Sequence, residues 1–201
     1  MALFGRGRPH DIGFRQPNVF GWRMLMVAYV GALPFLIWMA RGSTLAGYYV
    51  RQLEDAGWAV FVGYYAANMV GEHVFFHGIV LAAARPGGRW PAPAPVHCSA
   101  VQGAIRFLRW LGMAQPTEAA AGGARIVRWL GLPAHCVPAI LCSGLLFGAI
   151  HLGKDPREFL LSVPGGIALA FVAYRTNTWL TPFALHLMTA GTTLLAVLMW
   201  K

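Results

Sequence analysis

The stretch Gly71-Glu72-His73-Val74-Phe75-Phe76-His77-Gly78 sets one carboxylate and two imidazoles inside a long apolar run. Two more imidazoles, His151 and His186, fall in later apolar runs. An ionisable side chain costs about 2.5–3.5 kcal/mol at the centre of a membrane helix on insertion scales. Several of them in one small chain must therefore face each other or a wet cavity, so a shared site is expected where three segments meet. On a helix His73 and His77 stand one turn apart on one face, as do Phe147 and His151, and His186 and Ala190. Glu72 lies about 100° around the helix from His73. Asn68, one turn before Glu72, can hydrogen-bond into the site. Gly71 and Gly78 flank the group and would admit a second backbone.

Two chemistries use these groups. In the first, a carboxylate in low dielectric is a stronger proton acceptor than in water. Paired with an imidazole, Glu72 can take a proton from water and pass it on, as general base and then acid. A further imidazole can donate to the oxyanion of a peptide-bond intermediate. In the second, His73 and His77 have ligand spacing, and His151, His186 and Glu72 complete a zinc shell. A serine nucleophile is disfavoured, since Ser143 lies two turns before His151 and no GxSxG is present. A third reading is non-catalytic, a scaffold or immunity-type membrane protein that holds a peptide in the same cavity.

The elements that must position these residues follow from composition. Of 201 residues, 57% are hydrophobic and 11% charged, less than half of the roughly 25% charged share of a soluble domain. Several apolar runs approach or exceed the roughly 18–20 residues that cross a bilayer. They lack the alternation of barrel strands. The fold class is therefore all-α: a polytopic membrane helical bundle of about five transmembrane helices, plus amphipathic interfacial helices.

The segments are placed at 21–40 with Pro34 as a kink, 57–84, 134–153, 159–174 and 179–200. Pro164-Gly165-Gly166 allows a bend or a close helix contact, and Pro182 sits in a first turn, where proline is tolerated. Residues 1–20 read as a basic cytoplasmic tail and 21–201 as one membrane domain, with a motif-bearing core at 57–200. Residues 41–56 read as a charged loop and 85–133 as an interfacial loop region. In the latter, RFLRWLGM and RIVRWLGLP each pair two arginines with a tryptophan, the pattern of a helix lying on a membrane surface.

The net charge of +9 reflects arginines in short loops, the positive-inside pattern, and not a nucleic-acid partner. It orients the chain with the N-terminus cytoplasmic and the C-terminus outside. In that topology His151 lies toward the outer end of its segment and His186 toward the inner end of its own. They meet only if segments tilt, bend or shift, which Gly153 and Pro182 allow. The odd cysteine count, without CxxC, points to neither a disulfide framework nor a zinc ribbon. Glu158 reads first as a solvated loop charge, with a place near His151 at the outer surface as the alternative. Lys154 and Arg157 read as interface markers, with a grip on a substrate carboxylate as the alternative, and the tryptophans as a membrane belt.

Taken in order, the three patches resemble the CPBP family of glutamic-type intramembrane proteases, named for CAAX processing and bacteriocin protection. The family pattern is EExxxR, then FxxxH, then HxxxN, on three helices. Here it reads Glu72-His73-Val74-Phe75-Phe76-His77, Phe147 to His151, and His186 to Ala190 after Thr181-Pro182-Phe183-Ala184-Leu185. The resemblance implies catalytic roles for Glu72, which activates water, its partner His151, and His186 at the oxyanion. His73 stands where the family has its second Glu, His77 where it has Arg, and Ala190 where it has Asn. His73, His77, Asn68 and Thr189 are then supporting residues, with Thr189 or Thr193 as candidates for the missing polar group. The resemblance further implies no cofactor, with zinc as the alternative. The implied partners are the lipid bilayer and a membrane-anchored protein or peptide, a C-terminal sorting signal being one such substrate, as for myxosortase-like members. The implied location is a bacterial inner membrane.

Overall fold

The computed structural model describes residues 13–41, 44–83 and 136–199. Every regular element among them is helical: α1 is Val19–Ala40, α2 Leu45–Ala56 and α3 Trp58–Glu72. α3 passes directly into a π-helical segment, His73–Val80, closed by the turn Leu81–Ala83. α4 is Val137–Ala149, α5 Pro156–Thr176 and α6 Leu180–Met199.

Local chemistry sets the ends. Asn18 caps α1 by accepting the Gly21 N–H at 2.8 Å. Asp155 caps α5 by accepting the Arg157 N–H at 2.9 Å, with Pro156 at the first helical position. Glu158 in the first turn and Arg175 in the last complement the helix dipole. Asn177 then ends the helix in the left-handed region at φ 57°.

α1, α5 and α6 are each long and apolar enough to cross a bilayer, and α4 is a shorter apolar helix. The outward faces carry Trp22, Phe35, Val60, Leu145, Leu160 and Leu195, all exposed, whereas His73, His77, Ser143 and Thr181 are fully buried. Apolar groups outside and polar groups inside is the arrangement that lipid demands. The chain is a multi-pass membrane protein. Its core holds three apolar clusters: Leu81 and Ala139 with Ala173, Phe76 and Phe147 with Leu185, and Ala40 and Val50 with Val197.

Several expectations change. Residues 41–56 are not a loop but contain α2. The charges Arg51, Glu54 and Asp55 occupy its exposed face, while Val50 packs with Met39, Ala40 and Val197. Residues 13–18 of the expected tail pack on the start of α6. Phe14 meets Trp179 at 5.6 Å between ring centroids, and the Thr178 hydroxyl donates to the Arg15 carbonyl at 2.6 Å. Trp179 is consequently buried rather than part of a belt, while Trp22, Trp38 and Trp58 are exposed. Gly71 faces open space and admits no second backbone. The expected interfacial helices lie outside the described residues.

Candidate active site

A cavity of about 210 Å³ opens among α2, α3, the turn after α4, α5 and α6. Glu72, His151 and His186 all line it, together with Asn68, Lys154 and Glu158. Phe61, Met69, Leu187 and Leu194 supply apolar wall, and Tyr49 and Tyr65 the rim from α2 and α3. The anticipated convergence of three remote positions is thus present. The shortness of α4 resolves the depth conflict: 13 residues give about 20 Å of helix, against a hydrocarbon core of about 30 Å. Its end, with Gly153 at φ 88° in the turn that follows, brings His151 level with α6. Phe147 bridges them, its ring 4.8 Å from that of His151 and 5.4 Å from that of His186.

Glu72, His151 and His186 each have a holder. Asn68 donates to Glu72 Oε1 at 2.8 Å from one turn earlier. His151 Nδ1 lies 2.8 Å from the Phe147 carbonyl. A carbonyl only accepts, so Nδ1 carries the proton and Nε2 keeps its lone pair. His186 Nδ1 meets His73 Nε2 at 3.0 Å. Behind it the His73 and His77 rings stack at 4.6 Å with 25° between planes. The π-helical turn, closed by i→i+5 bonds, belongs to the segment that carries both. His73 Nδ1 and both nitrogens of His77 are buried without a hydrogen-bond partner in good geometry, the Gly166 backbone lying near His77.

Glycines bring α4 against α5. A Cβ on Gly144 would lie 2.6 Å from the Ile167 nitrogen, and one on Gly148 2.3 Å from Val163 Cγ2. Gly166 returns the contact, since its Cβ would meet Phe147 at 2.8 Å. This is small-residue helix packing of the kind lipid favours. The Ser143 hydroxyl, donating to the Phe76 carbonyl at 3.1 Å, ties α4 to the π segment.

A protein-family model matches residues 54–192, more than half of the chain, and describes type II CAAX prenyl endopeptidase Rce1-like proteins. The chain belongs to the Rce1-like family. It is accordingly a membrane protease of the CAAX type, whose substrates are membrane-associated peptides. Neither a curated protein nor a solved structure matches it.

Within this Rce1-like chain the supporting residues do not all lie where the sequence suggested. Asn68 lines the cavity beside Glu72, whereas His73 and His77 form a second layer behind His186. Thr189 stands apart: its hydroxyl donates to the His186 carbonyl at 2.9 Å, and that of Thr193 to the Thr189 carbonyl at 3.0 Å. Both hydroxyls are used within their own helix, so Ala190 has no polar replacement from either. As for zinc, no group of three or more His, Cys, Asp or Glu with the geometry to hold one ion occurs among the described residues.

The cavity's second polar cluster decides for the alternative placing of Glu158, near His151, and adds Tyr49, which the sequence reading did not single out. Glu158 is no solvated loop charge. Its side chain is 13% exposed, and it accepts from Lys154 Nζ at 3.0 Å and from the Tyr49 hydroxyl at 3.1 Å. Burial first, and then the Glu158 carboxylate, hold the Tyr49 phenol well above its ordinary range, so it remains a donor. The i, i+4 spacing of Lys154 and Glu158, and Tyr49 on an amphipathic stretch, were the available signals. Arg157 points elsewhere, donating to the Arg41 carbonyl at 2.9 Å and lying over Trp38.

Proposed function

We propose that this protein hydrolyses a peptide bond of a membrane-anchored protein or peptide with a water activated by Glu72 and His151, without a metal. What supports the reading is that Glu72, His151 and His186 line one cavity. A water between the first two gives one hydrogen to the Glu72 carboxylate and points the other at His151 Nε2, leaving an oxygen lone pair for the scissile carbon. Attack moves the first proton to Glu72 and makes an oxyanion. With His73 as donor to His186 Nδ1, His186 takes the tautomer whose Nε2–H is free to meet that oxyanion. As the C–N bond breaks, protonated Glu72 delivers its proton to the leaving nitrogen. In the same step the O–H on the former carbonyl carbon passes its proton to His151, so the imidazolium forms as the C–N bond breaks, and His151 then gives that proton to the departing amine. The apolar walls keep other water out while the charges move.

A prenylated peptide ending in a CAAX-type sequence, with a quenched fluorophore across the scissile bond, is the direct probe in lipid nanodiscs. A C-terminal sorting signal from a membrane-anchored protein is the second candidate substrate. Cleavage by the wild type that Glu72→Gln abolishes is the expected result. Cleavage that survives Glu72→Gln refutes the reading, and a cellular phenotype that survives it favours the peptide-binding alternative. The charge pattern supports a cytoplasmic N-terminus and an outer C-terminus, and the resemblance to CPBP proteases supports a bacterial inner membrane.

A further inference from the structure

The cavity holds two carboxylates, and the mechanism uses only one. The second, Glu158 on α5, lines the same cavity as Glu72, with Oε1 3.9 Å from His151 Nε2. Because the Phe147 carbonyl fixes the proton on Nδ1, the atom facing Glu158 is the lone-pair nitrogen. Two acceptors facing each other have no attraction until a proton arrives. Once Nε2 takes one, the pair becomes a donor and an anion, and a charge-assisted interaction forms. The carboxylate is kept in place for this by the Tyr49 hydroxyl on Oε2 and by Lys154 on Oε1. Tyr49 is in turn carried by α2, which is tied to the turn by the Thr44 hydroxyl donating to Asp155.

We propose that Glu158 is the counter-ion of the His151 imidazolium, a positioning residue that stabilises the charge His151 gains during hydrolysis. This rests on the role given to His151 above. The charged and titratable groups facing His151 are Lys154 from its own turn, Glu158 from α5, Glu72 from α3 and His186 from α6. Lys154 opposes the imidazolium and Glu158 favours it, so removing each must act in opposite directions.

The test is the ring-¹⁵N NMR titration of His151 in nanodiscs, with cleavage kinetics on the prenylated CAAX-type peptide. Glu158→Gln keeps the shape and an acceptor for Tyr49 but removes the charge. It is expected to move the titration midpoint of His151 down by about one pH unit and to lower kcat about tenfold. KM stays within about twofold, since the charge appears after binding. Lys154→Met moves the midpoint up, and supplies the test if Glu158→Gln does not fold. A midpoint unmoved by either substitution, or a kcat unchanged in Glu158→Gln, overturns the proposal. If the wild type cleaves nothing, the hydrolytic reading fails by itself, and the titration still decides whether Glu158 is the counter-ion.

Discussion

Adding a single methyl group at Gly144 tests whether the close contact of α4 and α5 sets the catalytic geometry. In Gly144→Ala the new Cβ would sit 2.6 Å from the Ile167 backbone nitrogen and 2.8 Å from its Cα. Backbone cannot rotate away as a side chain does, so the two helices must part by about 0.8 Å to reach an ordinary 3.4 Å contact. Overpacking of this kind costs about 1–3 kcal/mol. The displaced helix carries His151 at its end, while Glu72 and His186 are held by other helices. A misplacement near 1 Å is worth about a hundredfold in rate, so kcat should fall by roughly that factor. The control is Gly165→Ala, one residue from the contact glycine Gly166, where a Cβ meets nothing within 4 Å. It should leave kcat unchanged and raise stability by up to about 1 kcal/mol, through helix propensity. Thermal unfolding in nanodiscs and cleavage of the quenched prenylated peptide read both quantities. If Gly144→Ala unfolds and cleaves like wild type, the packing argument is wrong.

Other outcomes follow from the same geometry. Glu72→Gln should lose at least about 10²-fold in kcat while folding normally, because the amide cannot accept the water's proton; unfolding curves and peptide cleavage check this. Asn68→Ala removes the donor to Glu72 Oε1 and should cost about 1.5–3 kcal/mol of carboxylate stabilisation, read as a change in the pH–rate profile with the fold intact. Treatment with a strong chelator should leave cleavage unaffected, and elemental analysis of the purified protein should find less than one zinc per chain. A stoichiometric metal whose removal stops cleavage would favour the zinc reading.

The apolar runs alone determined an all-α membrane protein, because a bilayer admits few ways of satisfying a backbone. The ionisable residues in those runs determined which positions to suspect, since each must repay the cost of leaving water. Glu72, His151 and His186 were therefore legible, and so was Asn68 at one helical turn from Glu72. Helical spacing could not say that Thr189 turns its hydroxyl back to its own helix, or that His73 serves His186 instead of its neighbour Glu72. Those facts depend on which helices touch and at what depth. Gly71 and Gly144 look alike in sequence, yet one faces open space and the other meets Ile167. Glu158 became a site residue because the short α4 and the turn at Gly153 draw the start of α5 into the cavity beside Tyr49 from α2. Local pattern records which face of a helix is apolar; only the packed bundle decides what that face meets, because contacts between remote segments depend on helix length, turn geometry and close approach together.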